Sequence, residues 1–177
     1  TAAIFADPRH PYTRALLAAE PTGTPEPVAR DADTIVETKD LRVWFPIRSG
    51  VMQRTTGWNK AVDGVSLHVN QGETLGLVGE SGCGKSTLCR AILQLTPPTS
   101  GSVRFLGREL VGLTEREWRP VRREMQMIFQ DPRGSLNPQR TVLETLGEPM
   151  EIHFPERRAA ERRERVAALL ERVGLPA

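Results

Sequence analysis

The chain has 177 residues, with 24 Lys and Arg against 22 Asp and Glu for a formal charge of +2, and is 38% hydrophobic and 26% charged. This is a globular composition, long enough to bury a core as one domain or as one domain plus part of another, and no apolar run nears the roughly 18 residues of a membrane span. Nearly balanced charge and 5% aromatics argue against a dedicated nucleic-acid binder; two cysteines, Cys83 and Cys89, make neither a disulfide framework nor metal-ligand spacing, which fits a reducing compartment.

The opening "TAAIFADPRHPYTRALLAAEP" lacks the basic start, long apolar centre and cleavage site of a signal peptide, and the absence of an initial Met suggests a piece of a longer chain. Within it, "HPYTRALLAAE" predicts a short helix stopped by Pro21. The following "PTGTPEPVAR", with three prolines, reads as a linker, and a boundary falls near Asp31.

Beyond it, Leu41, Val43 and Phe45 alternate with other residues, as do Val65, Leu67 and Val69, predicting two half-buried antiparallel strands. The intervening "RSGVMQRTTGWNK" reads as a long polar loop. After the "NQG" turn, Leu75, Leu77 and Val78 form a nearly continuous apolar run, which predicts a strand covered on both faces. Leu88, Ala91, Ile92 and Leu95 then recur at helical spacing until Pro97 and Pro98. A short strand is expected at "SVRFL", and Thr114 with Glu117 signals a capped helix that Pro120 interrupts or bends. "MQMIF" predicts another buried strand, and "DPRGSLNPQ" a loop. Thr141 with Glu144 starts a further helix, and Val166, Leu169, Leu170 and Val173 form the apolar stripe of a last one that opens near Pro155 and ends at Gly174. Glu161 and Arg165 are spaced for a helical ion pair. His68 and His153 have no partners in sequence and are expected at the surface.

The chemistry is concentrated in "GESGCGKST", Gly79 to Thr87. It satisfies G-x-x-x-x-G-K-[ST] between an expected strand and an expected helix, which is the setting this phosphate-binding loop requires. Gly79, Gly82 and Gly84 allow backbone angles that turn the N–H groups of this loop, with those of Glu80, Ser81 and Cys83, toward phosphate oxygens at the positive end of a helix. Lys85 supplies a mobile charge for the β and γ phosphates, Ser86 a hydroxyl for Mg²⁺ and Thr87 one for the α phosphate. A bare glycine-rich turn would explain the glycines but not the lysine and paired hydroxyls beside them.

Together with "KAVDGVSLHVNQGETLGLV" before this loop and "MQMIFQDPRGSLNPQRTV" after it, the sequence resembles the nucleotide-binding subunits of ABC transporters, most of all those of dipeptide, oligopeptide and nickel importers. The resemblance covers nearly the whole chain. It implies an α/β fold: a P-loop NTPase core with an antiparallel β subdomain over 31–130, truncated before the core is complete, and the start of a helical subdomain over 131–177. It also implies that Gln130 is the Q-loop glutamine, reaching the Mg²⁺ and attacking-water region and sensing the membrane partner. "QDP" being that loop, Asp131 is a decoy rather than a metal ligand. Phe45 matches the aromatic that stacks on adenine, with Trp44 adjacent, and Val62 is expected near the base or ribose.

The implied cofactors are ATP and Mg²⁺. The implied partners are transmembrane permease subunits and a second ATP-binding domain, bound head to tail at the cytoplasmic face of the membrane, with peptide import as the driven process. "IFADPRHPYTRALLAAEP" is similar to a segment that follows the ATPase core in such subunits, so residues 1–30 are expected to be the tail and linker of a preceding ATP-binding domain in a tandem fusion. By the resemblance, the family's "LSGGQ" signature, carboxylate pair and switch histidine should come after residue 177, so weak or absent MgATP binding and no appreciable hydrolysis are expected of the chain alone. The competing readings are a soluble P-loop phosphotransferase or nucleotide kinase, against which "FQDPRGSLNP" argues, and a non-enzymatic module that docks a partner through the helix after Pro155.

Overall fold

A computed structural model of the chain describes residues 5, 7–8, 10–19, 27–29, 31–50, 53–129, 131 and 134–176. The elements in order are α1 (Pro11–Ala18), β1 (Thr34–Ser49), β2 (Arg54–Asn70), α2 (Lys85–Ile92), β3 (Ser100–Phe105), β4 (Arg108–Glu109), α3 (Glu115–Val121), α4 (Val142–His153) and α5 (Ala159–Arg172). Helix α1 is the one expected from "HPYTRALLAAE"; the His10 ring accepts from the Tyr12 N–H at 3.2 Å at its start. Most of the linker reading, at 20–26 and 30, lies outside the described residues.

The four strands form one antiparallel sheet in the order β2-β1-β3-β4. Its centre is β1, whose alternation sends Leu41 and Val43 into the core opposite Val65 and Val62 of β2, with Thr38 opposite Val103 of β3. Burying Thr38 is tolerated because its hydroxyl donates to the Val65 carbonyl at 3.2 Å and accepts from the Leu67 N–H at 3.1 Å. The register slips between Thr38 and Leu41, and there Gly101 meets the bulge so closely that a Cβ would stand 2.4 Å from the Asp40 carbonyl oxygen. Leu88 and Ala91 from α2 close one side of the core, and Leu110, Trp118 and Val121 extend it.

Two expectations need correction. The stretch from Arg48 to Lys60 is not a long loop, because β1 and β2 continue as a two-stranded arm to Ser49 and Arg54, with Pro46 opposite Trp58 and Arg48 opposite Thr55. Polar composition hid this because an arm projecting from the core needs no buried face, and Trp44, Trp58 and Lys60 support one another instead. The two indoles lie 6.4 Å apart and the Lys60 ammonium stands 4.3 Å from the Trp44 ring centre.

The second correction concerns the expected strands at 74–79 and 125–129, which form no strand. Val78 is 93% exposed and Ile128 91%, while Leu75, Leu77 and Phe129 are also exposed. A doubly covered strand needs neighbours on both edges and a layer on each face, and among the described residues no strand pairs with either segment.

The helical signals read as expected. Thr114 and Thr141 each donate from N–H and hydroxyl to Glu117 and Glu144, three residues on, and Glu144 N–H returns a bond to the Thr141 hydroxyl at 3.2 Å. Pro120 sits in the last turn of α3. Helices α4 and α5 pack together over Met150 and Val166, and their group is tied back to α3 by Arg119, which donates to the Ile152 carbonyl at 3.2 Å. Glu161 turns back to the Arg158 N–H at 3.3 Å, at the start of α5. His153 is partly buried rather than at the surface, and its Nδ1 has no hydrogen-bond partner among the described residues.

Leu41→Ala is expected to lower stability in chemical denaturation by about 2–5 kcal/mol, and Leu77→Ala by less than about 0.5 kcal/mol. Equal losses at the two positions would contradict the distinction between core and exposed segment. The bonds from Thr114 hold the Glu117 carboxyl below its ordinary value near 4.5, as those from Thr141 do for Glu144. A carboxyl depressed in the folded state contributes stability that is complete above its ordinary value and is lost as pH falls through the folded one. Protection of the amides in the first turns of α3 and α4, taken relative to the intrinsic exchange rate at each pH, is therefore expected to fall below about pH 4.5, and Glu144→Ala to remove that acid response in α4 alone.

Candidate functional site

The loop between residues 79 and 87 leads into α2, whose first residue is Lys85. Gly84 caps the helix with φ of 98°, and a Cβ there would lie 2.1 Å from the Ala61 carbonyl oxygen, so only glycine lets the loop rest on β2. The first turn of α2 is closed by Leu88 N–H to the Gly84 carbonyl at 2.8 Å, which leaves the N–H groups of Lys85, Ser86 and Thr87 without helical acceptors. They join the positive end of the helix dipole to a loop of glycines, the arrangement that attracts an anion.

The Lys85 side chain arches back over this loop. Its ammonium donates to the carbonyls of Gly79 at 2.6 Å and Glu80 at 2.7 Å, and lies 3.5 Å from Cys83 Sγ. Gly79 and Glu80 thus position the lysine through their carbonyls, while Ser81, Gly82, Cys83, Gly84, Lys85, Ser86 and Thr87 line an open cleft of about 720 Å³. The hydroxyls of Ser86 and Thr87 carry no hydrogen bond to another described residue, which leaves them available to phosphate or a hard cation. No group of three or more His, Cys, Asp or Glu that could hold a metal ion exists among the described residues. Among the described residues of the cleft, the Ser86 hydroxyl is a hard oxygen of the kind Mg²⁺ accepts, and that ion binds through few protein ligands.

The opposite wall of the cleft is formed by Phe45, Asn59, Lys60 and Ala61. Phe45 is 42% exposed and lines the cleft, whereas Trp44 lies against Lys60 and donates its indole N–H to Asp63 at 3.1 Å. Val62 does not reach the cleft as expected. It is 4% exposed, points into the core opposite Val43, and supports Gly84 from below. The residue before it, Ala61, lines the cleft instead, at the irregularity where β2 carries one extra residue between the Val43–Val62 and Trp44–Lys60 pairs. Sequence reasoning misses Asn59 and Lys60, which fall in the stretch it takes for a loop, and Ala61 just after it; continuing the strand alternation of Leu41, Val43 and Phe45 into a paired strand was the signal for Asn59.

Gln130 lies outside the described residues. Asp131 beside it accepts from the Gly134 N–H at 3.2 Å, while the Ser135 hydroxyl donates to its carbonyl at 2.8 Å, so it organises the turn that follows.

A phosphate loop of this sequence and geometry is found in many nucleotide-binding families, and the comparisons with known proteins narrow it. The ABC transporter family profile matches residues 62–177, well over half of the chain. The chain belongs to the ABC transporter family.

Among its relatives, the ABC transporter ATP-binding protein YejF of Escherichia coli is 44% identical over 174 residues, covering 98% of this chain and 33% of that protein. The oligopeptide transport ATP-binding protein OppF of Escherichia coli is 48% identical over 153 residues, covering 84% of this chain and 45% of that protein. The chain thus spans a third to under half of these relatives. A solved dimeric post-hydrolysis structure of the ATP-binding cassette MJ0796, bound to ADP and Pi, superposes with a TM-score of 0.64 at 27% identity, over 77% of this chain and 56% of that one. The ABC family member described here accordingly has the α/β P-loop fold with its antiparallel β layer.

The two loop glycines separate conformational strain from steric exclusion. Gly82 has φ of 82° with open space around it, so Gly82→Ala is expected to cost about 1 kcal/mol of backbone strain. Gly84→Ala adds the collision with Ala61 and should lower the denaturation midpoint clearly more. Equal effects at both glycines would show that the loop does not rest on β2.

Proposed function

We propose that this chain is the nucleotide-holding part of an ABC importer ATPase, binding ATP and Mg²⁺ and, within the intact protein, hydrolysing ATP to drive uptake of peptides. The observation that carries the reading is the single cleft joining the exposed ring of Phe45 to the Lys85 loop, because a nucleoside triphosphate presents an aromatic base and an anionic tail to two such ends. Phe45 stacks on the adenine. The free amides of the loop and of the first turn of α2 take the phosphate oxygens, and the Lys85 ammonium exchanges the carbonyls of Gly79 and Glu80 for the β and γ phosphates. Thr87 serves the α phosphate, and Ser86 with Gln130 would hold Mg²⁺, whose positive charge would offset that of the phosphates.

Peptides are the cargo suggested by the oligopeptide relative. Membrane-spanning permease subunits are the partners, which places the protein peripherally at the cytoplasmic face; no helix among the described residues is long and apolar enough to cross a membrane itself. A second ATP-binding domain completes each site head to tail. Residues 1–30 are read as the tail of a preceding ATP-binding domain, a reading supported by a relative that matches almost the whole chain and is about three times its length. The exposed segments at 74–79 and 125–129 are then covered by strands from the rest of the polypeptide, which also brings the groups that activate water. Alone, the 177-residue chain turns over no appreciable ATP.

In the full-length protein, Lys85→Ala is expected to reduce phosphate release from MgATP on the order of 100-fold or more. Turnover unchanged by Lys85→Ala, or appreciable Lys85-dependent turnover by the 177-residue chain alone, would each contradict part of this assignment.

A further inference from the structure

The wall of the cleft that faces the loop has four residues, and their side chains differ in what they have left to offer. Phe45 presents only a ring face, and Ala61 has no polar atom. Lys60 is engaged elsewhere, its ammonium 4.3 Å from the Trp44 ring centre and 3.5 Å from the Asp63 carboxylate. Asn59 is the exception. It is exposed, it lines the cleft, and its carboxamide makes no hydrogen bond to another described residue.

Its position is set by strand pairing. Asn59 is the cross-strand partner of Phe45, so the two side chains leave the same face of the β1–β2 arm, with Cβ atoms roughly 5 Å apart as in any directly opposed antiparallel pair. A purine lying flat on the Phe45 ring has its edge within reach of the side chain opposite. Stacking by itself accepts any base, because every base has a π face. A carboxamide at the edge does not, since it supplies one acceptor and two donors in a plane. Adenine offers the matching pair, an exocyclic amine that donates and an adjacent ring nitrogen that accepts.

We propose that Asn59 reads the 6-amino edge of the adenine stacked on Phe45, making it a specificity-determining residue of the nucleotide site. This rests on the nucleotide-binding assignment made above. The arm of which it forms part therefore has a use beyond carrying the aromatic: its two strands supply one group that holds the base and one that identifies it.

The test is a binding cycle on the full-length protein with ATP and with purine riboside triphosphate, which has the same ring and phosphates but lacks the 6-amine. Affinities would be read by displacement of a fluorescent nucleotide. For the unsubstituted protein, loss of the amine is expected to weaken binding roughly five- to tenfold, toward the low end for one good base contact. In Asn59→Ala the two nucleotides should bind alike, and in Asn59→Leu, which keeps the side-chain volume and favours the strand, they should do the same. Phe45→Ala should weaken both nucleotides, leaving a preference for ATP. A preference for ATP that persists undiminished in Asn59→Ala and Asn59→Leu overturns the role of Asn59 while leaving the nucleotide site intact. Failure of the unsubstituted protein to bind either nucleotide overturns both readings.

Discussion

The backbone of Gly84 rests directly on the carbonyl of Ala61, and most of what this protein can do depends on that contact. A left-handed residue with no side chain is needed to turn the chain from the loop into α2 while keeping the loop pressed against β2. Because Asn59 of β2 pairs with Phe45 of β1, fixing the loop on Ala61, two positions further along β2, also fixes its relation to those two residues on the cleft wall. A loop that can bind phosphate is thereby joined to an aromatic that can bind a base. Neither end by itself would distinguish a nucleotide from an anion or an apolar ring.

The structure divides into an enclosed core and apolar segments that it leaves open to solvent. The antiparallel sheet, α2 and α3 enclose a contiguous core from Leu41 to Val121 in which the buried threonine has its hydrogen bonds met. The apolar segment at 74–79, which leads directly into the phosphate loop, is exposed instead, as are Ile128 and Phe129, although Met125 packs against the core. Backbone that is not held in a sheet cannot position the residues at its end rigidly, so the loop is anchored here from one side, through β2 and α2. Covering these segments would bury apolar surface and add the second anchor, which couples completion of the fold to completion of the site.

Local signals were read from the sequence with good fidelity. The helix starts at Thr114 and Thr141 follow from a threonine and a glutamate three residues apart, groups that meet in one turn whatever surrounds them. The alternation at Leu41 and Val43 and at Val65 and Leu67 identified the central strand pair because one face of each is buried. What failed were readings that required a neighbour. Leu75, Leu77 and Val78 have the composition of a buried strand, but burial is a property of what packs on them; the arm from Arg48 to Lys60 has a loop's composition, but pairing through the backbone asks little of its side chains.

By itself, then, the sequence determined the chemistry of the loop. Consecutive residues Gly79 to Thr87 bring their own amides, ammonium and hydroxyls together, because the groups involved lie within one turn and one helix start. Tertiary structure decided what faces that loop across the cleft. It selected Phe45 over Trp44, withdrew Val62 into the core, and brought Asn59 to the cleft wall, since which side of a strand a residue occupies is set by its pairing register and not by its identity.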